Sequence, residues 1–335
     1  MNILVTGGTG YIGSHTVVEL LQRGHTITIV DNLSNSSSSV IDRIATITGK
    51  TVPLHVFDVE DEPRLDAVFV DNTFDAVVHF AGLKAVSESV ADPLRYFTTN
   101  LASSLTLLDR MRNHTVPLLV FSSSATVYGT APVPYTELSS TGQGIASPYG
   151  QTKYMIEQFM RDHSASWPDA RYVALRYFNP VGAHESGLLG ELPNGIPNNL
   201  MPYIAQVASG KQKVLSVFGN DYPTVDGTGV RDYVHVVDIA KGHVAALENA
   251  KVGFTAYNLG SGKGTSVLQL LHAFEAATGI TIPYQISPRR SGDLAEYYAD
   301  ASKAAQELGW ISEKSIEDMC RDTWRWQKSL DKQPL

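Results

Sequence analysis

At 335 residues the chain is long enough for about two domains of ordinary size, each with an apolar core. A 43% hydrophobic fraction argues against disorder, and 26 basic against 34 acidic residues, a net charge of −8, leave no basic field for a nucleic-acid backbone or an anionic membrane. One cysteine, Cys320, makes neither an internal disulfide nor a thiolate zinc cage, no apolar run approaches the ~20 residues of a membrane span, and Met1-Asn2-Ile3-Leu4-Val5 has no basic leader, so a cytoplasmic protein is expected.

Short apolar runs recur along the first half: Ile3–Val5, Ile27–Val30, Leu54–Phe57, Ala76–Val78, Leu118–Phe121 and Tyr172–Leu175. Stretches with helical spacing separate them, and no repeat of 20 to 50 residues is present. Continuous β-branched runs suit parallel strands covered on both faces, and the intervals suit crossover helices. Residues 1–178 therefore read as a doubly wound parallel α/β sheet of the Rossmann kind.

Thr6-Gly7-Gly8-Thr9-Gly10-Tyr11-Ile12-Gly13 follows the first strand and opens a helix whose Ile12, Val17, Leu20 and Leu21 form one face and which Gly24 ends. Gly7, Gly8, Gly10 and Gly13 let a pyrophosphate approach the backbone, and the helix N-terminus offers it free N–H groups. Asp31 ends the next strand, about 20 residues further on, where its carboxylate accepts bonds from ribose hydroxyls and repels a 2′-phosphate. NAD is thus favoured over NADP. Asp58, just past the third run, reads as an acceptor for the adenine amino group.

Ser147-Pro148-Tyr149-Gly150-Gln151-Thr152-Lys153 places a favoured N-cap and a favoured first residue ahead of a helix. Tyr149 and Lys153 then lie one turn apart on one face. Lowering a phenol from a pKa of ~10 to about 7 requires about 4 kcal/mol. One cation ~5 Å away supplies roughly 3 kcal/mol at an effective dielectric of 20, so Lys153 needs help from an oxidised nicotinamide and the helix N-terminus. Upstream, Phe121-Ser122-Ser123-Ser124-Ala125-Thr126 puts Ser124 just past a strand end, where it would hydrogen-bond the reacting hydroxyl.

After Tyr177, Gly182, Gly187, Gly190, Pro193, Gly195, Pro197 and Pro202 break the chain into loops that read as substrate-facing. A helix at about 236–250 and a strand at Phe254–Leu259 form one more α/β unit rejoining the sheet. The expected division is 1–178 with 235–262 for the dinucleotide, and 179–234 with 263–335 as a smaller mixed α/β substrate-binding domain. Gly260-Ser261-Gly262-Lys263-Gly264 imitates a triphosphate loop, but Tyr257 and Gly264 break the pattern. The ten histidines include no pair at metal-ligand spacing, so no metal site is expected. Asn35-Ser36-Ser37 matches a glycosylation sequon, without meaning in a cytoplasmic protein.

Gly7–Gly13, Ser124 and Tyr149-x-x-x-Lys153 resemble the extended short-chain dehydrogenase/reductase family, and specifically its members that epimerise a UDP-linked hexose at C4. The resemblance covers essentially the whole chain. His79-Phe80-Ala81-Gly82-Leu83-Lys84-Ala85-Val86, Arg176 to His184, Gly195 to Tyr203, Phe218 to Thr224 and Asp226 to Tyr233 carry it. It implies a homodimer, pairing helices near 93–111 and 148–162, that interconverts UDP-glucose and UDP-galactose. Tyr149 takes the 4-hydroxyl proton with help from Ser124, NAD holds the C4 hydride, and a 4-keto sugar turns before the hydride returns to its other face.

By the same resemblance Tyr11, Ile12, Asn32 and Asn35 meet the phosphates and adenosine of NAD, with Val59, Phe80 and Ala81 along the cofactor. Lys84 and Phe178 meet the nicotinamide side. Asn179, Asn199, Arg231, Arg290 and Asp293 hold the nucleotide of the substrate, and Phe218 lies near the uracil. Tyr297 crowds the sugar C2 substituent, which favours UDP-glucose and UDP-galactose over UDP-N-acetylhexosamines. Thr99 stands where the family has an asparagine beside NAD. A 4,6-dehydratase would need an acid and a base directly after Ser124, where this chain has Ala125 and Thr126. A cofactor-loaded regulatory protein would not need Ser124, Tyr149 and Lys153 together.

Overall fold

All six apolar runs of the first half form strands, because aliphatic and β-branched side chains on both sides of the backbone suit a sheet covered on both faces. The computed structural model describes residues 1–192, 195, 197, 199–290 and 292–332. Pro193, Ile196, Asn198 and Ser291, from the motifs above, lie outside the described residues. The first half runs β1 (Asn2–Thr6), α1 (Tyr11–Gln22), β2 (Thr26–Asp31), α2 (Ser39–Thr48), β3 (Leu54–Val56), α3 (Glu62–Asp71) and β4 (Ala76–His79). It continues through α4 (Val86–Ala91), α5 (Pro93–Asn113), β5 (Leu118–Ser124), α6 (Pro148–Ala165) and β6 (Arg171–Tyr177). Next come β7 (Asn179–Val181), α7 (Leu200–Ala208), β8 (Leu215–Phe218), β9 (Val230–His235), α8 (Val236–Glu248) and β10 (Gly253–Leu259). The chain closes with β11 (Gly264–Ser266), α9 (Val267–Thr278), β12 (Tyr284–Ser287), β13 (Glu296–Tyr297), α10 (Ser302–Leu308) and α11 (Ile316–Lys332).

A seven-stranded, all-parallel sheet has the order β10-β6-β5-β4-β1-β2-β3. Alternate strand residues feed two cores. Ile3, Val5, Ile27, Ile29, Val78 and Val120 pack against Val17, Val18 and Leu20 of α1 and Ile239 and Val244 of α8. Leu4, Val30, Val77 and Leu119 turn the other way, toward Leu65 and Phe69 of α3, Leu107 and Met111 of α5, and Ile156 and Met160 of α6. The strand order reverses between β1 and β4, which opens a crevice at their carboxyl ends. There the backbone of Phe80 and Ala81 donates to the Thr6 carbonyl at 2.9 and 3.2 Å, so the chains leaving β4 and β1 run side by side.

Two strand ends differ from the sequence expectation. β3 stops at Val56, and Phe57 enters the second core instead. β5 continues to Ser124, because Ser122, Ser123 and Ser124 stay paired with Leu175, Arg176 and Tyr177 of β6. The serines therefore sit on rigid sheet rather than in a turn.

Beyond β6 the chain builds smaller sheets. β9 pairs with β7, β11 and β13, and β8 pairs with β12. Val181, Ile204, Val217, Tyr233, Phe274 and Met319 fill their core. Tyr11, at the start of α1, donates its hydroxyl to the Gly182 carbonyl just past β7 at 2.7 Å and ties the two parts together at the crevice. Among the described residues no helix is long and apolar enough to cross a membrane, and no cluster of His, Cys, Asp and Glu could hold a metal ion.

Candidate active site

Ser147 caps α6 by accepting a bond from the Gly150 amide at 3.2 Å, and Pro148 takes the first helical position. This local chemistry fixes where the next two turns face. Lys153 is 5% exposed, and its Nζ donates to the Ser122 carbonyl at 2.7 Å. The same nitrogen lies 4.6 Å from the Phe121 ring centroid and 5.8 Å from that of Tyr149. Ser124 Oγ accepts bonds from the Thr126 amide at 3.2 Å and the Thr126 hydroxyl at 2.9 Å. Its own hydrogen is left for the Tyr149 oxygen, a bond that favours the phenolate.

Burial dominates both titrating groups. It pushes the Tyr149 phenol up to about 12, against the Ser124 bond, and pushes the Lys153 ammonium down to about 7, against the Glu157 carboxylate. Lys153 therefore does not bring the phenol down by itself. Removing water from both groups outweighs an attraction across a gap of this size. A second cation facing Tyr149 is what the site still calls for, as the energy argument from sequence required.

The glycine turn has the shape of a phosphate cradle. Gly7 has a φ of +71°, and a Cβ there would stand 2.7 Å from the Ala81 nitrogen. A Cβ on Gly13 would stand 2.2 Å from the Gly7 carbonyl oxygen. Gly10 is the N-cap of α1 and offers no side chain to its first turn, so the Tyr11, Ile12 and Gly13 amides stay open to an anion. Asp31 accepts from the Thr9 amide at 3.0 Å and the Leu33 amide at 2.9 Å, which fixes its carboxylate beside that turn. Asn32 donates to Asp58, next to buried Val59, while Asn35 is exposed in the loop before α2.

Phe80 and Ala81 line the same edge, half-buried. Lys84 lies 3.5 Å from Glu191 and 5.9 Å from the centroid of the Tyr11 ring. Its loop is held by the buried amide of Asn100, which accepts from the Leu83 amide at 2.7 Å and donates to the Leu83 carbonyl at 3.1 Å and Thr152 at 3.0 Å. Thr99, beside it on α5, is half-buried.

Across the crevice the smaller sheets bring a second set together. The Arg290 guanidinium stacks 4.1 Å from the centroid of the Phe218 ring, which combines a flat apolar face with a cation. Arg231 on β9 donates to the Leu294 carbonyl at 3.0 Å and lies 3.6 Å from Asp293. Asn179 opens β7 opposite Tyr233, and Asn199 precedes α7 and donates to Glu191 at 2.8 Å. Tyr297 on β13 pairs with Arg231. Its ring centroid lies 5.2 Å from that of Tyr135 and 5.3 Å from that of Phe178, and its hydroxyl is buried without a partner among the described residues.

Sequence reasoning passed over Glu191, which joins Lys84 to Asn199, and Tyr135, which backs Tyr297. Neither carries a motif; only the folded chain brings Glu191 and Lys84 together. It also passed over Glu157, although a carboxylate one turn after Lys153 is visible in the sequence. Chemically, the chain offers a phenol with a serine and a lysine, an anion cradle at the start of α1, and, on the smaller sheets, two arginines with an aromatic face. That set suits proton exchange with an alcohol on a ligand anchored by phosphates.

Residues 3–260 match the model of the NAD dependent epimerase/dehydratase family. The chain is 56% identical over 330 residues to the UDP-glucose 4-epimerase of Erwinia amylovora, covering 98% of both proteins. It is 55% identical over 332 residues to that of Bacillus subtilis, covering 98% of this chain and 97% of the other. The solved UDP-glucose 4-epimerase of Stenotrophomonas maltophila, with NAD and formylated UDP-arabinopyranose, superposes with a TM-score of 0.96 at 52% identity over 99% of both chains. That of Bifidobacterium longum, with NAD+ and UDP, gives 0.95 at 53% over 98% of both.

Proposed function

The chain belongs to the NAD dependent epimerase/dehydratase family, and from that membership we propose that it is an NAD-dependent enzyme that interconverts UDP-galactose and UDP-glucose by inverting C4 of the sugar. The observation that carries this reading is the meeting of Tyr149, Ser124 and Lys153 beside an uncapped glycine turn at the sheet's carboxyl end.

NAD fits the residues present: the cradle leaves no room for a Cβ at Gly7 or Gly13, and the open amides of α1 complement a pyrophosphate. Gly7, Gly10, Tyr11, Ile12 and Gly13 would hold the phosphates, and Asp31, Asn32, Asn35, Asp58 and Val59 the adenosine. Phe80, Ala81, Lys84 and Phe178 would flank the rest. Bound NAD supplies the acceptor and donor for the C4 hydride and a positive charge near the reacting centre. Tyr149 removes the 4-hydroxyl proton, with Ser124 hydrogen-bonded to the reacting oxygens, and Lys153 in its charged form favours the phenolate. A 4-keto sugar results.

Arg231, Arg290, Phe218, Asn179, Asn199 and Asp293 keep the nucleotide end bound while the sugar turns, so binding energy is concentrated away from the reacting ring. Tyr149 then returns the proton. The division of labour follows the chain: 1–178 with 235–262 serve the cofactor, and 179–234 with 263–335 serve the UDP-sugar. Protein purified without added NAD is expected to convert UDP-galactose into UDP-glucose and to release NAD when denatured. Absence of both outcomes would contradict the assignment.

Tyr297 sets the choice of sugar by standing as a wall at C2. Replacing Tyr297 by Ala is expected to raise turnover of UDP-N-acetylglucosamine relative to UDP-glucose by about tenfold or more. Efficient turnover of the N-acetylated sugar by the unaltered protein would contradict it. The enzyme is cytoplasmic and pairs with a second copy through α5 and α6, where Leu94, Leu105 and Met155 keep apolar side chains at the surface. Sedimentation at the mass of one chain, or recovery outside the cytoplasmic fraction, would count against this.

A further inference from the structure

Three consecutive serines at the end of β5 meet three residues on one face of α6. The Ser124 hydroxyl meets Tyr149, the Ser122 carbonyl receives Lys153 Nζ at 2.7 Å, and the Ser123 hydroxyl donates to Glu157 Oε1 at 2.6 Å. Tyr149, Lys153 and Glu157 follow one another at four-residue steps and so form one stripe. Glu157 is fully buried, and Arg176 grips both its oxygens, through Nε at 2.9 Å and a terminal nitrogen at 2.6 Å. In the sheet, Arg176 stands between Ser123 of β5 and Asn258 of β10. Its remaining nitrogen takes Tyr128 at 3.0 Å, and Tyr128 passes the chain of bonds to Asn258 at 2.7 Å.

The proton exchange described above leaves this pair unused. A buried ion pair is a weak argument for stability, since apolar residues of the same volume often match or better it. Its position suggests another use. The titratable groups around Lys153 are Tyr149 and Glu157 on α6, His79 on β4, Arg176 and Tyr177 on β6, and Tyr128 in the turn after β5. Burial holds all three tyrosines in the neutral form and pushes His79 down to about 3. Of these groups Glu157 and Arg176 form a two-point ion pair, the carboxylate and guanidinium facing each other edge to edge.

We propose that Glu157 is a positioning residue for the reaction: its carboxylate, pinned by Ser123 and Arg176, locks α6 in register on β5 and sets a negative group one turn from Lys153, with the Arg176 guanidinium as its counter-charge. The proposal rests on the epimerase reading, in which Lys153 is charged when Tyr149 takes the proton. Removing the carboxylate's charge makes the ammonium harder to keep, so Lys153 loses its proton at lower pH. Removing the arginine's charge does the opposite.

The test uses NAD-loaded wild type, Glu157→Gln and Arg176→Gln, with Lys153 followed by carbon NMR of lysine-labelled protein and its signal identified with Lys153→Met. The Lys153 titration and the alkaline limb of kcat for UDP-galactose are expected to move down by about one pH unit in Glu157→Gln and up in Arg176→Gln. KM should stay within about twofold. Unmoved titrations in the folded variants, or movement in the same direction, overturn the proposal. If Glu157→Gln does not fold, the direction of the Arg176→Gln shift decides. The NMR titration needs no substrate, so unmoved titrations in a protein that converts UDP-galactose overturn the proposal alone, whereas a wild type that converts no UDP-galactose overturns the epimerase reading and with it the proposal.

Discussion

Tyr149→Phe is expected to lower kcat for UDP-galactose by a factor of at least about a hundred, the ordinary worth of a positioned acid or base, with the fold and the NAD content unchanged. The variant deletes one oxygen from a ring at the start of α6 and leaves the cap by Ser147 and the Lys153 bond to Ser122 intact. What it removes is the atom that receives the substrate proton. Ser124 cannot take over, because its oxygen already accepts two bonds from Thr126 and a serine hydroxyl is a far weaker base. Lys153, held on the Ser122 carbonyl, points its nitrogen at the backbone. Initial rates with wild type and variant at equal NAD content decide the matter, and a variant within about threefold of wild type would remove Tyr149 from the proposed chemistry.

Gly13→Ala is expected to yield protein with less than about a tenth of the wild-type NAD content. The added methyl would meet the Gly7 carbonyl oxygen at 2.2 Å and the Gly8 Cα at 3.0 Å, and neither is the flexible end of a side chain. The turn must open to make room. Opening it moves the amides of Tyr11 and Ile12 away from one another, and with them the anion site at the start of α1. The core need not fail, since Val17, Val18 and Leu20, deeper in α1, keep their places against β1 and β2. Dinucleotide released from equal amounts of denatured protein measures the effect. Full retention of NAD would mean that the cradle does not depend on this close approach.

Much of this architecture was legible because it is written in local chemistry. β1, α1 and β2 announce themselves through an apolar run, a glycine turn and a second apolar run, and the Ser147-Pro148 start fixes the face that Tyr149 and Lys153 share. The return of β10 to the sheet was legible too, from the helical stretch at about 236–250 followed by the run Phe254–Leu259. The reach of β5 was not, because Ser122, Ser123 and Ser124 have no strand propensity; their pairing with β6 decides it. The balance between Tyr149 and Lys153 was only half legible. Spacing shows that they are neighbours, but the cost of burying both depends on everything around them. Glu191 with Lys84, and Tyr135 with Tyr297, are contacts between distant parts of the chain that no short window contains.

Deuterium placed at C4 of UDP-galactose gives the most direct reading of the central claim. If the hydrogen leaves one face of the sugar and comes back to the other without meeting water, the UDP-glucose formed in one pass through purified enzyme keeps the label at C4. Loss of the label to solvent at the rate of conversion would contradict the account.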